Sequence, residues 1–183
     1  MKLKIILASI RKNRLGGRVA KWATTELDKK DIVYELIDLK DYNLPFLDSD
    51  TVPFDLNKKY PYDIVQYWSN KIDEGDAYII ITCEYNRGYP ATLKNAIDWL
   101  GMELWGKPVA FISYSDGPFG GVRCIEQLRS VISNFNMYGI RNAISIGKAN
   151  DIISTEGKNS VKAFDLQLKK MVDELALLSS KLK

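Results

Sequence analysis

Short apolar runs and helically spaced apolar stripes alternate along this chain from end to end. Residues 3–8 form an apolar run around Lys4 and read as a buried strand. Gly16 and Gly17 then precede residues 18–29, where Val19, Ala23 and Leu27 recur every four positions and predict a helix. Residues 32–39, with Val33, Leu36, Ile37 and Leu39, predict a second strand, and residues 64–72 space Val65, Trp68 and Ile72 as a second helix.

The third unit is the densest. Ala77-Tyr78-Ile79-Ile80-Ile81-Thr82 is rich enough in β-branched residues to be a central strand buried on both faces. Pro90 stands where a helix begins, and Leu93, Ala96, Ile97 and Leu100 give that helix one apolar stripe. Residues 108–114 predict a fourth strand, followed by a helix through Ile125, Leu128, Ile132 and Phe135. Residues 140–146 predict a fifth strand. The last helix, residues 160–182, carries Val161, Phe164, Leu168, Met171, Leu175 and Leu178 in one stripe.

Strands alternating with helices imply an α/β protein, a three-layer sandwich whose parallel sheet is covered on both faces by right-handed crossovers. For five such units the natural strand order is 2-1-3-4-5, which puts the topological switch between strands one and three. Ligands bind there, outside the carboxyl ends of the strands. Three loops should meet at that rim, at residues 9–17, 83–89 and 115–121. Residues 40–60, with Pro45, Pro53, Asp48, Asp50 and Asp55, make a connection of about twenty residues, long for a compact domain. It reads as an excursion beside the site or a subunit contact.

Composition narrows the chemistry. A chain of 183 residues that is 46% hydrophobic can build one good core, so a single domain over residues 1–183 is expected. The balance of 26 basic against 23 acidic residues is too mild for a nucleic-acid partner and suits a small anionic ligand. There is no histidine, and Cys83 and Cys124 are the only cysteines, which argues against a metal site and a histidine-dependent triad. Met1-Lys2-Leu3-Lys4 is followed by only a short apolar run, without the long h-region and small-residue cleavage site of a secretory signal, and no segment approaches the roughly 20 apolar residues of a membrane span. A cytoplasmic protein with reduced thiols and no membrane partner is the expectation.

The first loop, Ala8-Ser9-Ile10-Arg11-Lys12-Asn13-Arg14-Leu15-Gly16-Gly17, joins a strand to a helix start. A phosphate there would meet free N–H groups, the favourable end of the helix dipole, the Ser9 hydroxyl and guanidinium groups. It is neither a dinucleotide glycine fingerprint nor a Walker loop.

The second loop, Glu84-Tyr85-Asn86, followed by Leu93-Lys94-Asn95-Ala96, resembles the NADPH-dependent FMN reductases. So do the first loop and the third, Ser113-Tyr114-Ser115-Asp116-Gly117-Pro118-Phe119-Gly120-Gly121. The lead-in Trp105-Gly106-Lys107-Pro108 and the later Gln127-Leu128-Arg129 agree as well, so the resemblance covers residues 4–135 in order. Two positions depart from the family: Ala8 stands where glycine is common, and Cys83 where proline is general.

The resemblance implies a flavodoxin-like fold and bound FMN. Ser9, Arg11, Arg14, Leu15 and Gly16 would hold the phosphate and ribityl chain. Cys83, Glu84, Tyr85 and Asn86 would line the isoalloxazine, largely through backbone. Ser115, Gly117 and Gly120 would supply N–H donors near the pyrimidine edge, where negative charge collects on reduction. No catalytic side chain is implied, because the cofactor does the chemistry. Glu84 reads as a loop-shaping group rather than a general acid. Trp99 and Trp105 read as core or subunit-contact residues, and both cysteines as inert.

The activity implied is transfer of a hydride from NADPH or NADH through FMN to a small-molecule electron acceptor: a quinone, an azo dye, free flavin or a metal oxyanion. The competing reading is a flavodoxin-type electron carrier that does not oxidise NAD(P)H, against which the mild positive charge and Arg11 and Arg14 speak. A homodimer or homotetramer is expected, with the helix of residues 90–100 and the 40–60 excursion as the candidate contact.

Overall fold

The computed structural model describes residues 1–28 and 33–182; Lys29 and Ile32, the limits read for the first helix end and second strand start, lie outside them. Three strands fully buried along their length make the centre of the sheet: β1 (Leu3–Leu7), β3 (Ala77–Cys83) and β4 (Pro108–Tyr114). β2 (Tyr34–Asp38) pairs with β1, and β5 (Tyr138–Gly139) and β6 (Ile144–Ile146) both pair with β4. Every pairing is parallel, and the order is β2-β1-β3-β4-β5, with β6 continuing the β5 edge. This is the flavodoxin-like arrangement that the alternating pattern predicted.

The period-two alternation of the strands divides the core. Leu3, Ile5, Leu7, Ile79, Ile81 and Ile112 face α1 (Gly16–Asp28) and the C-terminal helix, burying Trp22, Leu27, Met171 and Leu175. Ile6, Ile80, Val109 and Phe111 face α2 (Asp63–Asp73), α3 (Ala91–Asp98) and α4 (Val122–Ser133), burying Trp68, Leu93, Ile97 and Leu128. A short helix, α5 (Ala149–Ile152), follows β6, and the last stripe is α6 (Lys162–Lys181).

Strand five is in two pieces rather than one run over residues 140–146. Between the pieces, Arg141 and Asn142 are exposed, and the Arg129 guanidinium donates to the carbonyls of Ile140 (3.0 Å) and Arg141 (3.0 Å). A side chain from α4 thus satisfies the carbonyls of the interruption, which removes the cost of leaving the ladder there.

The 40–60 excursion is clamped to its own chain. Pro45 O accepts from Asn95 Nδ2 and Trp99 Nε1, both at 2.8 Å, while Leu47 N donates to Asn95 Oδ1 at 3.1 Å. Trp99 is therefore buried inside the chain, beneath the excursion, and any subunit contact here belongs to the excursion's outer side. The Pro53–Leu56 turn reaches Gly101, where a Cβ would stand 2.9 Å from Phe54 Cα, so the approach needs glycine. Below it lies Glu103, fully buried, accepting from Tyr60 Oη (2.7 Å), Ser69 Oγ (2.5 Å) and Gly101 N (2.7 Å). At the opposite rim from the switch-point loops, buried Lys4 meets Glu35 (2.5 Å) and Glu74 (2.8 Å), so a charge inside a buried strand is paired twice. Among the described residues no helix is long and apolar enough to cross a membrane.

Candidate functional site

The carboxyl ends of β1, β3 and β4 open into a cleft of about 310 Å3, within the usual range of small-ligand sites. Ser9, Arg11, Arg14, Leu15, Cys83, Glu84, Tyr85 and Ser115 line it, together with Asn13, Tyr114 and Asp116. Gly16, Asn86, Gly117 and Gly120, the other residues singled out from the sequence, are not among those that line it.

The first loop is held from within. Ala8 N continues the ladder to Ile81 O at 2.9 Å, and Ala8 is not among the residues with positive φ, so its methyl costs the backbone nothing. Ser9 is buried and its hydroxyl bonds the Tyr85 hydroxyl at 2.7 Å, tying the first loop to the second. Arg14 donates through Nη1 to Ser9 O at 2.6 Å and through Nη2 to Asp38 at the end of β2. Both terminal nitrogens are thus engaged, and the guanidinium is fixed in the cleft wall with its remaining N–H groups available to an anion. Arg11 is exposed and lies over the Tyr85 ring, 5.8 Å from its centroid. α1 then starts at Gly16, with no acidic residue in its first turn to oppose an anion.

The second loop is a two-residue hairpin. Tyr85 and Gly88 exchange N–H···O bonds of 2.8 and 2.9 Å, and Asn86 and Arg87 both have positive φ, the geometry of a type I′ turn. Glu84 does not point a free acid into the site: it accepts from Arg123 N (3.3 Å) and Arg123 Nη1 (2.9 Å), capping α4 and pinning the second loop to the third. Burial, then the neighbouring Cys83 thiol, pushes the Tyr85 hydroxyl above the ordinary tyrosine value.

In the third loop, Ser115 N donates to Ile146 O at 3.1 Å and Ser115 Oγ to Gly117 O at 2.9 Å, so both of its donors are engaged within the chain. Gly120 has φ +61° and sits so close to β6 that a Cβ would lie 2.8 Å from Ser145 C. Its glycine is explained by this contact between loops. Trp105 is half exposed and packs edge-on to Phe54, away from the cleft.

Sequence reading passed over Tyr114. It ends β4 with its hydroxyl buried under the start of α1, and burial followed by the Cys83 thiol pushes that hydroxyl far above the ordinary tyrosine value. Its place as the last residue of a strand beside the switch point was the available signal.

Three loops, two arginines and an open helix start fit a phosphate-bearing planar ligand. By fold, then, this is a flavodoxin-like protein with an open cleft at the switch point of its sheet.

The profile of the NADPH-dependent FMN reductase family matches residues 1–151, and the chain belongs to that family. It is 36% identical over 138 residues to an NAD(P)H-dependent FMN reductase of Schizosaccharomyces pombe, a match covering 74% of this chain and 68% of that one. It is 34% identical over 137 residues to a quinone reductase of Escherichia coli, covering 72% and 70% respectively. Among solved structures, the flavoenzyme NAD(P)H:acceptor oxidoreductase FerB of Paracoccus denitrificans superposes with a TM-score of 0.80 at 25% identity, over 98% of this chain and 97% of that one.

Proposed function

We propose that this protein is an FMN-dependent oxidoreductase that passes reducing equivalents from NADPH or NADH to a quinone, azo, flavin or metal-oxyanion acceptor. The observation that carries the reading is the switch-point cleft, whose wall residues all lie within the span 1–151 that the family profile matches and whose donors suit a phosphate. Bound there, FMN would supply the two-electron redox chemistry that links nicotinamide to the acceptor.

The chain's residues bind and orient. The α1 start, Ser9, Arg11 and Arg14 hold the phosphate end; the Tyr85–Gly88 hairpin and the third loop flank the ring end, with Glu84 and Arg123 fixing the distance between those loops. One cleft mouth serves nicotinamide and acceptor in turn, so initial-rate plots should show the parallel lines of a ping-pong scheme. Exposed Phe46, 80% accessible on the excursion's outer side, and neighbouring Val52 supply the apolar surface of a two-fold contact, hence a homodimer or homotetramer. Two free buried thiols suit a reducing, cytoplasmic compartment. Mixing the FMN-loaded protein with NADPH without oxygen tests the activity: the flavin absorbance should bleach within seconds and return on adding benzoquinone. Absence of bleaching with both NADPH and NADH would leave an electron carrier and remove the enzyme.

A further inference from the structure

Most polar groups around the cleft already have partners. Ser9 Oγ is bonded to Tyr85, the Arg14 terminal nitrogens to Ser9 O and Asp38, the Glu84 carboxylate to Arg123, and Ser115 Oγ to Gly117 O. Among the buried side chains Tyr114 is the exception: its residue is 3% exposed, it lines the cleft, and its hydroxyl, beside the Cys83 thiol and the Ser9 hydroxyl, makes no hydrogen bond of good geometry among the described residues. Leaving such a group unpaired costs stability, so a folded protein that keeps one satisfies it with an ordered water, an ion or a ligand, and in a cleft wall a ligand is within reach. Where the hydroxyl lies names the ligand's charge. A Cβ on Gly16, the first residue of α1, would stand 2.3 Å from Tyr114 Oη and 2.9 Å from Cζ. The donor therefore sits against the positive end of a helix dipole, a place that favours an anion.

We propose that the Tyr114 hydroxyl donates a hydrogen bond to the phosphate group of the bound flavin nucleotide, and that Gly16 is glycine so that the hydroxyl can reach it. This rests on the reading of the cleft as an FMN site. Two independent features meet there, an unpartnered buried donor and a helix start without an opposing acid. Burial, followed by the Cys83 thiol, keeps the hydroxyl protonated far above the ordinary tyrosine value, so it remains a donor at any working pH.

Tyr114→Phe removes the oxygen and little else. In titrations of cofactor-free protein followed by flavin fluorescence, the Kd for FMN should rise about tenfold, the scale of one hydrogen bond to a charged group. The Kd for riboflavin, which lacks the phosphate, should change less than about twofold by the same reasoning. The cofactor-free variant should melt at or above the wild-type temperature, since it has lost an unpaired buried hydroxyl. Gly16→Ala, which displaces the hydroxyl, should weaken FMN selectively, and adding Tyr114→Phe to it should cost little more. Unchanged FMN affinity, equal weakening of FMN and riboflavin, or a melting temperature several degrees lower without cofactor would each overturn the proposal. Failure of the wild-type protein to bind FMN at all is a separate result, which defeats the cofactor reading and this proposal together.

Discussion

Arg14 separates two views of how the first loop works: a guanidinium waiting for a phosphate, or one fixed beforehand by its own chain. The geometry favours the second. Arg14→Ala would deprive Ser9 O, in a residue 1% exposed, of a charge-assisted donor, worth about 1.5–3 kcal/mol. It would also break the partly buried pair with Asp38, worth about 1 kcal/mol. Urea unfolding of cofactor-free protein should therefore show a loss of about 2.5–4 kcal/mol at unchanged slope.

Asp38→Asn is the sharper probe, because asparagine keeps the acceptor for Lys40 N (3.1 Å) while releasing the guanidinium. If Asp38 holds Arg14 in its binding position, ordering a freed side chain should cost about 0.5–1.5 kcal/mol, a two- to tenfold weaker Kd for FMN. Tighter FMN binding by Asp38→Asn would refute the reasoning, since it would mean that Asp38 competes with the phosphate for Arg14.

Three further outcomes follow from other parts of the fold. Glu84→Gln should leave kcat with NADPH within about threefold of wild type, because the carboxylate is engaged by Arg123; a fall of the hundredfold or more typical of a lost proton-transfer group would make it a general acid. Glu103→Gln puts an amide N–H against Gly101 N, where Oε2 now accepts at 2.7 Å; about 1–3 kcal/mol should be lost, lowering the melting temperature of this chain by roughly 3–10 °C, and a change under about 1 °C would show the network to be dispensable. Lys4 is the leading cause holding Glu35 and Glu74 below their ordinary value of 4.5, so their contribution is present above that value and lost as pH falls through the lowered ones. Lys4→Met should flatten the decline of melting temperature between about pH 5 and pH 3, whereas an acid limb as steep as wild type would exclude the pairing as its source.

What could be read from the sequence was what neighbouring residues encode. Strand β3 announces itself because its seven residues include no charge and are rich in β-branched side chains, and the structure buries all seven. The stripes of α2 and α6 and the convergence of three loops follow from local spacing plus the handedness of crossovers. What stayed hidden depends on partners far along the chain. Asn95 reads as part of a family motif, yet the structure shows it clamping Pro45, fifty positions away. Glu103 looks like a surface acid until Tyr60 and Ser69 close over it, and the gap between β5 and β6 exists because Arg129 reaches across from α4. Gly120 was assigned to a flavin contact, and its tightest neighbour is the backbone of β6. In the cleft the loops were legible but the orphaned hydroxyl was not, since hydrogen-bond satisfaction is a property of assembled structure.

Calorimetric titration of cofactor-free protein with FMN, repeated with Ser9→Ala and Arg11→Ala substituted together, tests the central claim most directly. The account predicts one flavin nucleotide per wild-type chain, and affinity about a hundredfold weaker or more in the double variant, on the scale of two lost hydrogen bonds to a charged group. Absence of heat and of any flavin spectral change in the wild-type protein, or equal affinity in the variant, would contradict it.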